Sequence, residues 1–243
     1  MQDRAPIAGT QLALGISLAP GATFESYFRG PNGLAVELLQ AMARGDGERH
    51  AFLAAAPGLG KSHLLQATCR LAADTGRVAY LPLDGALAGR PEVLEGLESL
   101  GLVCIDSLEA VAGHADWEHG LFALVNEARS TGTRLLFAAR RVPGDLGLAL
   151  PDLVSRLAWG PVVQLGALDD DAKRGALAAR AQTLGLELPA AVADYLVRHY
   201  PRDLAGQLER LAQLDRASLA HGRRLTVPFV KEILDDPPHH RSP

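Results

Sequence analysis

The chain has 243 residues, 48% of them apolar and 21% charged, with a formal net charge of −4 at pH 7. That is enough chain for one large domain or two unequal ones, and the charge balance excludes a protein that holds nucleic acid by bulk electrostatics. No apolar run approaches the length of a membrane span. The start, MQDRAPIAGT, lacks the basic-then-apolar order of a secretory signal, and Cys69 and Cys104 lie in apolar segments, as expected of buried, reduced thiols in a cytoplasmic protein.

The first feature in chain order is TQLALGISLAPG, Thr10 to Gly21, a glutamine leading an apolar run. Two readings stay open for it: an edge strand of the chain's own sheet, or a short peptide that another protein grips. From about residue 49 strand and helix patterns alternate. HAFLAA reads as a buried strand, KSHLLQATCRLAADTG as a helix stopped by Gly76, and RVAYLPL as a second strand. PEVLEGLESL, opened by Pro91, reads as a helix, GLVCID as a third strand, and DWEHGLFALVNEARSTG as a helix ending at Gly132. TRLLFAA and GPVVQLG complete a set of five strands. Continuous apolar strands between helices predict an α/β fold: a mostly parallel sheet with helices on both faces.

After LGALDDDAKRG only helical periodicity remains, with starts near Asp169, Pro189, Asp203 and Thr226. The predicted organisation is a flexible arm over 1–20, a nucleotide-binding α/β domain over 21–167, a small helical domain over 168–236 and a disordered tail over 237–243. Acids and bases nearly balance in the helical part, so it lacks the basic surplus of a DNA-reading module.

The chemistry concentrates at AAPGLGKSHLL, between the first strand and the first helix. The pattern G-x-x-x-x-G-K-[ST] is met at Gly60, Lys61 and Ser62, with Ala55 in its first position. Gly58 and Gly60 let backbone amides turn toward a phosphate, the helix N-terminus adds its positive end, Lys61 supplies a charge for the β and γ phosphates, and Ser62 a hydroxyl for Mg²⁺. The predicted nucleotide contacts are Pro57, Gly58, Leu59, Gly60, Lys61, Ser62 and His63. Asp106 ends the third strand, where a P-loop domain keeps its metal-associated carboxylate, so Ser62 and Asp106 are the expected Mg²⁺ pair. Ser107 follows, where a hydrolysing site would keep a second carboxylate. Glu109 lies two residues on and, in an extended chain, would face the same way as Ser107. A serine is a poor general base near neutral pH, so the expectation is nucleotide binding with weak intrinsic hydrolysis. His114 and His119 lack the spacing and the third ligand of a zinc site, His239 and His240 fall in the tail, and Trp117 and Trp159 read as core or interface anchors.

A P-loop unit followed by a small helical one resembles the AAA+ superfamily. TFESYFRGPNGLA is similar to the opening segment of the DnaA initiator family, which implies that Phe24 and Phe28 sit near the nucleotide base. LALPDLVSRLAWG resembles the segment that carries an arginine finger, which falls on Arg156, and YPRDLAGQLERL a motif whose sensing arginine falls on Arg202. LVCID, LDRAS and LTVPFVKEIL narrow the resemblance to the Hda family of DnaA-related regulators. That resemblance implies a regulator that binds ADP or ATP, with Mg²⁺ where present. Bound to the sliding clamp on DNA, it would stimulate hydrolysis of ATP held by the initiator and so act as an inhibitor of re-initiation. Its partners would be the clamp and DnaA, with DNA reached only through the clamp, no membrane, and homo-oligomerisation allowed. TQLAL is similar to a Gln-Leu-x-Leu clamp-binding motif, with Gln11 hydrogen-bonding in a cleft and Leu12 and Leu14 filling an apolar pocket. The family pattern has proline where Gly15 stands. It also ends the fourth strand with a polar sensor and Asp-Arg-Pro-Pro, where this chain reads FAARRVP with Arg140 replacing the acid. The competing readings are a self-contained ATPase, such as a loader or remodeller, and an initiator-like tether. The absence of a following helix-turn-helix domain speaks against the tether. For Arg156 the plainer alternative is a surface arginine paired with Asp152, one turn earlier on a helix.

Overall fold

Strict alternation of side chains along three strands divides the core in two. The computed structural model describes residues 18, 19, 21–87, 89–200 and 203–235. Strands β1 (His50–Ala54), β2 (Val78–Pro82), β3 (Leu102–Asp106), β4 (Arg134–Ala139) and β5 (Val162–Gln164) pair in parallel in the order β2-β3-β4-β1-β5. In β1, β3 and β4 nearly every residue is buried, which is why their sequences read as apolar runs instead of alternating ones. Phe52 pairs with Phe137, which pairs with Ile105. These three face helix α3 (Ala115–Thr131) and helix α4 (Pro151–Leu157), packing among Trp117, Leu121, Leu153 and Leu157. The intervening residues Leu53, Leu136 and Cys104 face the other way, onto α1 (Gly33–Arg44) and α2 (Lys61–Ala72) through Val36, Leu39, Met42 and Leu64. Each such fully buried side chain contributes about 1.5–3 kcal/mol of transfer free energy.

A second, all-helical unit follows: α5 (Asp170–Leu184), α6 (Ala190–His199), α7 (Leu204–His221) and α8 (Val227–Leu234) around Leu177, Leu196, Leu211 and Phe229. Its starts are chemically marked. Asp169 accepts from Ala172 N, Asp203 from Gly206 N and Thr226 from Phe229 N, so three of the four helices have a side-chain N-cap. Parallel α/β sheet and helical lid are the predicted fold class.

Three local expectations change. The stretch 91–100 is two short 3₁₀ turns, Pro91–Leu94 and Leu97–Ser99. Gly96 between them has φ +79°, a left-handed residue that interrupts a helix. Helix α2 ends at Ala72, four residues before the expected stop at Gly76. Helix α1 is an addition: its Val36, Leu39 and Met42 line one buried stripe and Gly45, at φ +87°, closes it. Cys69 and Cys104 are free and buried, as expected, and burial, with Cys69 alongside, pushes the Cys104 thiol up.

Candidate functional site

The P-loop departs from β1 and returns as α2. Gly58 and Gly60 take φ +80° and +86°, and each is closed over by another element. A Cβ on Gly60 would meet the Tyr27 ring at 2.6 Å, and one on Gly58 would meet Asp203 Cβ at 2.6 Å. No side chain fits at either position without displacing a neighbour, so both glycines are required by conformation and by close approach. Ala55 is buried outside the left-handed region and donates its N–H to Ala139 O at 3.1 Å. The first loop position therefore needs no glycine here.

Lys61 is buried at the first turn of α2 and donates from Nζ to Ala55 O (2.6 Å) and Ala56 O (3.3 Å). Burial holds its pKa below the usual lysine range, while the charges of Glu109 and Asp106 work the other way. Asp106, at the end of β3, is also buried. Its Oδ2 accepts from Tyr80 Oη at 2.9 Å and its Oδ1 from Ser107 N at 2.8 Å. Tyr80, on the neighbouring strand, is thereby raised above the ordinary phenol range, chiefly by burial and then by the Asp106 charge. Ser62, exposed at the mouth of the loop, and Asp106 supply one hydroxyl and one carboxylate. That donor set suits Mg²⁺, which is commonly held by one or two carboxylates together with substrate phosphates. Among the described residues no group of three His, Cys, Asp or Glu forms a separate metal cluster.

Behind the loop lies a cavity of about 1010 Å³ between the sheet and the helical unit. Gly58, Leu59, Gly60 and His63 line it from the loop, Tyr27 and Phe28 from the N-terminal segment, and Lys173 and Leu208 from the helices. Its volume and largely apolar lining suit a heterocyclic base beside a phosphate loop. Of the two phenylalanines expected there, Phe28 lines it and Phe24 does not. Phe24 is packed in the core against α1 and α2, and Tyr27 takes the cavity position instead. Asn32 is a further member that was not foreseen. It donates from Nδ2 to Tyr27 Oη (3.2 Å) and Gly166 O (3.2 Å) and accepts at Oδ1 from Gly166 N (2.7 Å), tying the entry segment to the strand-to-lid connection. Tyr27 Oη in turn donates to Leu59 O. His63 lines the cavity while its Nε2 donates to Thr23 O at 2.8 Å. Pro57 is exposed at the outer turn of the loop.

Glu109 does not stand free beside Asp106. Its carboxylate accepts from Arg140 N (3.1 Å) and lies 2.9 Å from Arg140 Nε, so the extended-chain expectation gives way to a turn that carries it toward β4.

Arg156 sits apart from the cavity, in the last turn of α4. Its guanidinium lies 4.3 Å from the Phe122 ring centre and 4.8 Å from that of Trp159, and Arg129 covers Trp159 at 5.0 Å. No described carboxylate pairs with it, so the alternative pairing with Asp152 is absent among the described residues. The helix itself is anchored by Glu118, which accepts from Gly113 N (2.7 Å), Ala149 N (2.9 Å) and Leu150 N (2.7 Å). Burial would raise the Glu118 pKa, but the three amides outweigh it and hold the carboxyl below its ordinary range. Arg202, Gln11, Leu12 and Leu14 lie outside the described residues.

Comparison with known proteins bears on the same layout. Residues 170–234 match the family model described as Hda, lid domain. Domain III of the Thermotoga maritima replication initiation protein DnaA superposes with a TM-score of 0.77 at 23% identity, covering 91% of this chain and 98% of that one. AMPPCP-bound DnaA from Aquifex aeolicus gives 0.69 at 24%, over 85% and 70%. The Thermotoga maritima RuvB Holliday junction branch migration motor gives 0.62 at 19%, over 83% and 66%. These likenesses show a fold shared with DnaA and RuvB, and residues 170–234 are similar to the Hda lid domain.

Proposed function

Taking the chain as a DnaA-related, Hda-like protein, we propose that it is an AAA+ regulator of replication initiation that binds a nucleotide, ADP or ATP, in its own P-loop site and supplies Arg156 in trans to ATP held by the initiator. The observation that carries this reading is the separation of its parts. The residue matching the arginine finger is not among those lining the chain's own cavity and is held on an aromatic support on a different face. A guanidinium presented in this way can reach a neighbour's γ-phosphate and stabilise the charge that develops there, an effect worth several orders of magnitude in rate.

The chain's own site favours holding over turnover. Ser107 follows Asp106, and Glu109 is committed to Arg140, so among the described residues the carboxylate nearest the usual water-orienting position is already engaged. The nucleotide would rest with its phosphates on the loop amides and Lys61 and its base beside Tyr27 and Phe28. AMPPCP bound to the DnaA relative supports the choice of ligand class. Mg²⁺, where bound, would be held by Ser62 and Asp106 and would screen phosphate charge. Arg202, of the YPRDL motif, completes the proposed set. Gln11, Leu12 and Leu14 would tether the chain to the sliding clamp and through it to DNA.

The test mixes the ADP-loaded protein, the ATP-loaded initiator and the DNA-loaded clamp, and follows ATP loss. Stimulation is expected, and it should fall by at least about 100-fold for Arg156→Ala and fall for Gln11→Ala as well. No stimulation, or stimulation indifferent to both substitutions, would sink the proposal.

A further inference from the structure

We infer that the Glu109–Arg140 pair sets the choice between nucleoside diphosphate and triphosphate at the P-loop, with Glu109 acting against a terminal γ-phosphate. This rests on the nucleotide reading above and adds to it the residues that discriminate.

Three features converge on the pair. Ser107 has φ +58°, the one non-glycine residue in the left-handed region among the described residues. That conformation is unfavourable for a residue with a Cβ and persists only where the surroundings enforce it. It turns the chain out of β3 into the short 3₁₀ turn Leu108–Ala110, so that Glu109 reaches the end of β4. There the carboxylate takes both the backbone N–H and the guanidinium of Arg140. Arg140 follows Ala139, whose carbonyl accepts from the first loop residue, Ala55, so the pair stands beside the root of the P-loop. Lys61, whose Nζ is held by the Ala55 and Ala56 carbonyls, feels the Glu109 charge ahead of that of Asp106.

A P-loop lysine serves the β and γ phosphates. A diphosphate ends at that lysine. A triphosphate brings further negative charge into the space next to Glu109, and like charges that close repel. Arg140 offsets this only in part: its side chain is 65% exposed, while Glu109 is 23% exposed, so solvent screens the cation more than the anion.

Calorimetric titration of the full chain with ADP and with AMPPCP reads this directly. Wild type should bind ADP more tightly. Glu109→Gln keeps an acceptor for Arg140 N and loses the charge, so the ADP-to-AMPPCP affinity ratio should contract by about fivefold, mainly through tighter AMPPCP. Arg140→Ala leaves the carboxylate unpaired, and the ratio should widen. General loosening of the site would move both nucleotides together. Equal affinities in wild type, or a ratio unchanged in both variants, overturns the proposal while leaving nucleotide binding intact. Binding of neither nucleotide by wild type overturns the nucleotide reading itself, and this proposal with it.

Discussion

Glu118 shows how one side chain can fix the position of another it never touches. Its three amide donors come from the loops before α3 and before α4, so it welds the helix bearing Phe122 to the helix bearing Arg156. Glu118→Gln puts an amide N–H₂ against backbone donors and should cost about 2–3 kcal/mol, seen as a lower urea midpoint at neutral pH. The carboxyl is depressed in the folded state, so its contribution is present above the unfolded carboxylate value of about 4.3. That contribution is lost as pH falls through the folded value. The gap between wild type and variant should therefore persist down to the unfolded carboxylate range and close only in stronger acid. Little of this was legible in the sequence. The loop residues Gly58 to Ser62 are contiguous and announce themselves, whereas Glu118 meets Ala149 and Leu150, and Glu109 meets Arg140, across sequence separations of 31 or 32 residues.

Among the elements, β5 is the most delicately placed. It is short and pairs with β1 alone, and it is seated by Pro161 O, which accepts from Phe52 N. A Cβ on Gly160 would fall onto the His50 carbonyl. Gly160→Ala should force β5 off β1 and destabilise the fold by about 1–3 kcal/mol. Gly144→Ala, with nothing near its Cβ, should stay within about 0.5 kcal/mol. Chemical denaturation of the two variants side by side checks this. The strands were readable because three of them are buried on both faces and so stay apolar without a break. The stretch 91–100 misled because Pro91 is a good helix opener and its apolar spacing fits, while Gly96 could end the helix as easily as ride within it. Helix α1 carried a usable signal in Val36, Leu39, Met42 and Gly45, set behind a segment that drew attention only for its resemblance.

At the scale of the molecule, the cavity is a seam. Its walls come from the P-loop, the entry segment and the helical unit at once, and Asp203, the N-cap of α7, rests on Gly58. A ligand there should stabilise both units together. ADP at 100 times its Kd should add about 2.7 kcal/mol, which for a chain of this size raises Tm by about 5–10 °C. A single shifted transition is expected, and Lys61→Ala should abolish the shift. Alternating strand and helix patterns followed by helices alone were enough to foretell sheet and lid. The seam was not, because the contacts of Tyr27 with Gly60 and of Asp203 with Gly58 are matters of shape that neither segment records on its own.

The aromatic support of Arg156 has one more consequence. The chain contains two tryptophans. Trp117 is 2% exposed in the core and Trp159 is 45% exposed between two guanidinium groups. Nearly all emission sensitive to solvent therefore originates at the arginine face. Its colour, and its access to a water-borne quencher, report on whether that face is covered, so the protein carries its own optical label for docking.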